Sequence, residues 1–234
     1  MARETSYLER AIILGNLGFV SEKFAEYDAA LDFYKQSFDI VQKYSPKNHL
    51  LLSTILNNIG SAYRNLKQPS LALDYFRQSL NLLMQDSDPH METMAICYNA
   101  IGAILEDEGQ LLESLENYQR ALDLQHKSLP STHGAIAITL NNIAGNFWEQ
   151  KNYDKALITF KECLEIQQKS LPSGHVSIAI TMDNISATLA RQSRYSEAIE
   201  MSVRAVEISK KALPVNHPQI LLQQGNLDAI RKKL

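Results

Sequence analysis

Cysteine is nearly absent: Cys97 and Cys163 are the only two in 234 residues. Two residues cannot build a disulfide framework, and their unlike surroundings suggest no metal pair. Free thiols packed on apolar faces are expected instead, which suits a reducing, cytoplasmic setting. Glycine and proline are also scarce, at 9 and 7 residues, which disfavours a fold of many short strands and turns. No charge of one sign dominates. The 23 basic and 26 acidic residues leave a net charge of −3, so no global attraction to nucleic acid or acidic lipid is expected. No leader peptide is apparent, and the apolar run at 11–14 is far too short to span a membrane. The chain lacks Gly-x-x-x-x-Gly-Lys, His-Glu-x-x-His, Gly-x-Ser-x-Gly and Cys-x-x-Cys, so no enzyme activity and no cofactor are expected.

What is present is a repeat. Leu56-Asn-Asn-Ile-Gly60 recurs as Leu14–Gly18, Tyr98–Gly102, Leu140–Ala144, Met182–Ser186 and Gln224–Asp228. The last residues stand at 18, 60, 102, 144, 186 and 228, a period of 42 without drift. A fixed period of this size marks an array of supersecondary units, stabilised by contacts between neighbours. Hydrophobic content of 45% is ample for such burial.

Within each unit the apolar spacing predicts two helices. In the first unit Ala30, Leu31, Tyr34, Phe38 and Ile40 form an apolar stripe in which spacings of three and four recur. The expected pairs are 6–23 with 26–44, 50–66 with 70–84, 91–108 with 111–127, 134–150 with 153–169, and 176–192 with 195–211. A single polar helix over 218–233 is expected to cap the array. The fold expected is therefore all-α, one domain over 1–234. Its units lie at about 5–46, 47–88, 89–130, 131–172 and 173–214.

The links between units carry Pro46, Pro130, Pro172 and Pro214 in phase, with Asp88 in the equivalent place and Pro89 one later. Proline ends the preceding helix, since it has no N–H to continue the ladder. His49, His133, His175 and His217 follow three residues after the prolines, and His90 sits one place early. No two of them have ligand spacing within a unit, so a turn or cap role is expected and no metal.

Three further in-phase sets read as packing. Ala30, Ala72, Ser114, Ala156 and Ala198 are small, as are Ser37, Ser79, Ala121, Cys163 and Ala205. Between them Tyr34, Phe76, Tyr118 and Phe160 supply a ring, and Ser202 breaks the set. Small residues let helices approach, and rings fill the space between.

This order of small residues and rings on paired helices resembles the tetratricopeptide repeat. The period of 42, the Leu-Asn-Asn-(Leu/Ile)-(Gly/Ala) motif and the Leu-Pro-x-x-His link are similar to the repeats of kinesin light chains and nephrocystin-like proteins. Of the links, only His217-Pro218 keeps the proline that usually follows the histidine there, and no heptad coiled coil accompanies the array. The resemblance implies a right-handed superhelical solenoid whose first helices line a concave groove.

The resemblance also implies that an extended peptide or disordered segment is gripped by an asparagine ladder: Asn16, Asn58, Asn142, Asn184 and Asn226, with Ala100 the exception. An amide both donates and accepts, so it can pair with a peptide backbone without reading its sequence. The same amides could instead bridge neighbouring helices. Asn57, Asn99 and Asn141 stand just before ladder positions and are expected to face the groove. No Lys or Arg occurs one turn before the ladder (Ile12, Thr54, Ile96, Ile138, Ile180, Leu222), just before it (Gly15, Asn57, Asn99, Asn141, Asp183, Gly225) or three residues after it (Phe19, Ser61, Ala103, Gly145, Ala187, Ala229), which argues against carboxylate clasping. Glu22, Lys23, Arg64, Glu106, Asp107, Glu149 and Arg191 read as a solvated rim. Trp148, the only tryptophan, is either an anchor for a ligand side chain or a packing residue. The function expected is a protein-interaction adaptor that acts as a monomer, without nucleic acid or membrane. The alternatives are a structural spacer or self-associating array, or the repeat portion of a longer protein. A cargo adaptor like a kinesin light chain is one form of the main reading, and an RNA-reading array is the weakest.

Overall fold

The computed structural model describes residues 2–86 and 90–233, with side chains from Ser6 onward. The link at Asp88 and Pro89 lies outside the described residues. Everything regular among the described residues is helix. Eleven helices occur: α1 (Ala2–Lys23), α2 (Tyr27–Tyr44), α3 (His49–Asn65), α4 (Pro69–Leu83), α5 (Met91–Asp107), α6 (Leu111–Ser128), α7 (Gly134–Glu149), α8 (Tyr153–Ser170), α9 (Val176–Arg191), α10 (Tyr195–Ala212) and α11 (Pro218–Arg231). They form five antiparallel pairs and a last single helix. The expected boundaries hold to within two residues except at the start, where α1 begins four residues early. The chain divides into two compact units, Met1–Leu124 and Gln125–Leu234.

In the first unit α2 packs on α1 and on α3, and α4 packs on α3 and α5. In the second unit α8 packs on α7 and α9, and α10 packs on α9 and α11. Thus α2, α4, α8 and α10 each cover their own first helix and the next one. The expected packing sets are buried throughout: Ala30, Ala72, Ser114, Ala156 and Ala198 have no accessible surface. The third set does more than fill space. Ser37 Oγ donates to the carbonyl of Ala11 at 2.7 Å, Ser79 Oγ to that of Ser53 at 3.0 Å, and Cys163 Sγ to that of Ala137 at 3.1 Å. Each bond ties a second helix to its first by a small polar side chain that needs no space of its own.

Helix starts and stops follow local chemistry. Pro69 opens α4, where its missing N–H has no helical partner to lose. Asn48 and Asn152 cap α3 and α8 through Oδ1, accepting from the backbone N–H three residues on. The link histidines do the same for three first helices. His133, His175 and His217 each accept at Nδ1 from the backbone N–H two residues later, all at 3.2 Å. His49 and His90 depart from this: both bond the carboxylate of Asp86, at 2.9 and 3.0 Å. Asn48 has taken over the cap of α3.

The turn inside each pair repeats a feature that the sequence hides. Ala25, Lys67, Gly109, Lys151 and Ser193, spaced by 42, all have φ between 59° and 77°. The residue after each donates its N–H to the carbonyl five back, as Gln68 does to Tyr63 at 2.9 Å and Asn152 to Phe147 at 2.8 Å. This is the Schellman closure, whose left-handed residue is normally glycine. Only Gly109 obeys that preference, and the other four hold a Cβ against the following carbonyl. Replacing Lys151 by glycine should therefore stabilise the chain by up to about 1 kcal/mol, and Gly109→Ala should cost a similar amount. Thermal denaturation of the two variants checks both signs.

Candidate functional site

The first helices carry the rows expected to face the groove, and within each unit most of these residues are exposed or half-buried, whereas Asn57 and Asp183 are buried. Ile12 and Ile96 in the first unit, and Ile138, Ile180 and Leu222 in the second, are all exposed. The ladder itself is more varied. Asn16 is exposed, while Asn58, Asn142, Asn184 and Asn226 are half-buried. Two ladder amides bridge neighbouring helices of the second unit. Asn184 Nδ2 donates to Asn141 Oδ1 at 3.4 Å, and Asn226 Nδ2 donates to Asp183 Oδ2 at 3.0 Å. In the first unit Asn57 is buried, and its carbonyl oxygen accepts from the Cys97 thiol at 3.0 Å. Asn99 is half-buried. An amide has two donors and an acceptor with two lone pairs, so one bridge leaves capacity for a second partner.

The second unit brings Asn141, Asn184 and Trp148 together. With Gly145, Glu149, Phe160 and Ala187 they line an open cavity of about 320 Å³. Gly145 and Ala187 keep it free: a Cβ built on Gly145 would meet nothing within 4 Å. Phe160 comes from α8 and reaches the cavity from below, although its spacing marks it only as a core ring. Trp148 stands edge-on to Tyr153 with ring centroids 6.1 Å apart. The Arg191 guanidinium lies over the Trp148 ring, 5.3 Å from its centroid. The indole N–H is buried and has no hydrogen-bond partner. Trp148 is therefore both a wall of the cavity and a packing residue. The remaining walls are amide or small, and Glu149 is the one charged group among them.

Asp183 is the one acidic member of the row otherwise made of Asn57, Asn99 and Asn141 between terminal glycines. It is buried, and its Oδ1 has no hydrogen-bond partner. Burial pushes its carboxyl above the ordinary range, against the smaller pull of the Asn226 amide. A carboxyl raised on folding favours the native state at low pH, and that contribution is lost as pH rises through its native titration. Asp183→Asn should therefore raise stability at pH 7 by about 1 kcal/mol, since it removes an unpaired buried charge and keeps an acceptor for Asn226. The gain should shrink on acidification, which melting curves at several pH values would read.

The rim is less solvated than its sequence suggests. Glu22 accepts from Tyr34 Oη at 3.0 Å, from Ser61 Oγ at 2.8 Å and from Asn65 Nδ2 at 2.9 Å. It thus joins α1, α2 and α3. Glu106 accepts from Tyr118 Oη at 2.8 Å. Arg64 and Asp107 do form an exposed ion pair, at 3.1 Å, of the kind that contributes little. Burial raises both thiols, Cys163 to about 11, so neither is a thiolate at neutral pH. Among the described residues no cluster of three or more His, Cys, Asp or Glu could hold a metal, and no helix is long and apolar enough to cross a membrane.

The sequence pattern of the tetratricopeptide repeat matches residues 9–85, 93–169 and 135–211. No curated protein matches the chain. Among solved structures, BtubC (BKLC) from P. vanneervenii is similar over 93% of this chain and 92% of its own, with 17% identity and a TM-score of 0.78. A putative kinesin light chain of Podosopora anserina with nearly identical TPR-like repeats is similar over 77% of this chain and 87% of its own, with 19% identity and a TM-score of 0.66. YrrB, a TPR protein with an unusual peptide-binding site, is similar over 92% of each chain, with 20% identity and a TM-score of 0.56.

Proposed function

Since this chain belongs to the tetratricopeptide repeat family, we propose that it is an adaptor that binds an extended peptide or disordered segment along its first helices and has no chemistry of its own. The observation that carries this reading is the cavity at Asn141, Gly145, Trp148 and Asn184. It joins amides able to pair with a peptide backbone to an aromatic wall and empty space for one large side chain. One backbone hydrogen bond contributes about 1 kcal/mol net, so the amides alone give weak binding. The cavity supplies the apolar burial that turns register into affinity. The absence of Lys and Arg from the flanking rows suits a ligand held by backbone and apolar side chain rather than by a terminal carboxylate. YrrB, with a peptide-binding site of its own on a similar fold, supports the same reading. A cargo adaptor of the kinesin light chain kind is one form of this function. The raised, buried thiols suit a cytoplasmic setting.

The test is a displayed peptide library selected on the purified chain. A peptide set should be enriched with Kd near micromolar, about −8 kcal/mol. Gly145→Leu should fill the cavity and weaken that binding at least about tenfold, with helicity and melting temperature kept. No enrichment on a folded chain, or equal binding by Gly145→Leu, overturns the reading. A second reading, a structural ladder, draws on the Asn184–Asn141 and Asn226–Asp183 bridges. It requires Asn184→Ala to lower the melting temperature without touching peptide affinity.

A further inference from the structure

The first helix exposes a stripe, continued by Phe24 just past its end, whose first three places every comparable helix buries. Ile13, Leu17, Val20 and Phe24 are 58, 43, 49 and 75% exposed. One period later Ile55, Ile59 and Ala62 are at most 3% exposed, and Thr181, Ile185 and Thr188 of α9 at most 1%. In α3, α5, α9 and α11 this face lies under the preceding second helix. In α1 it is uncovered, and its spacing of four, three and four is that of a two-helix seam.

We propose that this stripe is a dimer interface, paired antiparallel with the same stripe of a second copy. The stripe is self-complementary. An antiparallel overlap sets Ile13 against Phe24 of the second copy and Leu17 against its Val20, and the two-fold axis repeats both layers. Charge favours this occupant over a further second helix of the repeat type. The next place up the stripe is Arg10, where the later first helices have Leu52, Met94, Ile136, Ile178 and Ile220. A second helix of the repeat type would bring apolar side chains against that guanidinium. The antiparallel copy instead brings its Glu26, which is exposed at the end of the α1–α2 turn. One Arg10–Glu26 pair then stands at each end of the seam. The pairing differs from the monomer expected from sequence, and it stands apart from the groove reading, since the stripe and the cavity share no residue.

Sedimentation of the full chain from about 1 to about 100 µM tests it, a range that brackets a micromolar Kd. The parent should shift from one to two chain masses and go no further. Leu17→Glu with Val20→Glu should stay at one chain mass with an unchanged helical spectrum, because neither side chain is needed inside the fold. Arg10→Glu should weaken pairing at least about tenfold, and adding Glu26→Arg should restore it. Mixed Ile13→Cys and Phe24→Cys chains should cross-link to each other under oxidation, whereas each alone should not. A parent that stays at one chain mass, a Leu17→Glu/Val20→Glu variant that still pairs, or growth beyond two copies would each overturn the proposal.

Discussion

Gly102→Val should cost the chain about 3 kcal/mol, the upper part of what overpacking a core exacts. A Cβ built on Gly102 would stand 2.7 Å from the Tyr118 ring and 3.2 Å from the Ser114 carbonyl oxygen. Tyr118 is almost wholly buried and cannot swing away, and the carbonyl is backbone. Valine adds two methyl groups to that clash and restricts its own rotamer within α5. The same substitution logic has the opposite sign at Gly145, where an added Cβ meets nothing within 4 Å. Gly145→Ala should stabilise α7 by about 0.5–1 kcal/mol, the ordinary penalty of glycine in a helix. Chemical denaturation of both variants separates a glycine kept for packing from one kept for an open cavity. Equal shifts of one sign would refute the distinction.

The reason both glycines look alike in sequence is that neither carries a side chain to read. Gly102 ends the repeated motif, and its partner Tyr118 lies sixteen residues on, so the pair is visible once the period is found. At 144 the same place holds alanine and faces Phe160, at 186 it holds serine, and the ring set ends at Ser202. Glycine thus accompanies both tyrosines, and where serine stands at 186 the ring is gone. Helix ends were equally legible, because proline, asparagine and histidine act within a few residues of their own position. The left-handed turn residues were not, since Ala25, Lys67, Lys151 and Ser193 share a backbone conformation and no side-chain chemistry. The ladder asparagines were found by phase, but phase cannot say whether an amide faces a ligand or a neighbour. That is decided by what stands 43 residues away, Asn141 for Asn184 and Asp183 for Asn226. The stripe on α1 is hidden in the sequence for a related reason: Ile13, Leu17 and Val20 occupy core positions of the pattern, and only the packing reveals that they are exposed.

Tyr118 and Glu106 should behave as a single unit in a double-mutant cycle. The ring positions are Tyr34, Phe76, Tyr118 and Phe160, and twelve residues before them stand Glu22, Arg64, Glu106 and Trp148. A glutamate is present where the ring bears a hydroxyl and absent where it does not. The buried phenol needs an acceptor, and Glu106 supplies it at 2.8 Å. Glu106→Leu should therefore cost about 2 kcal/mol, chiefly the penalty of a stranded hydroxyl. Tyr118→Phe should cost about half of that, and adding Tyr118→Phe to Glu106→Leu should recover much of the loss. Alkaline pH offers an independent reading. Burial first, and then the Glu106 charge, push the Tyr118 hydroxyl well above its ordinary value of 10.0. Tyr34 is raised for the same causes, burial leading and Glu22 following. In the unfolded chain both phenols ionise near pH 10, whereas in the native chain they stay protonated. Stability should thus be level with respect to these groups below pH 10 and fall steadily above it. Tyr118→Phe should flatten that fall while leaving the Tyr34 share in place. A slope above pH 10 that is identical in parent and variant would mean that neither burial nor Glu106 keeps the Tyr118 hydroxyl protonated in the folded chain.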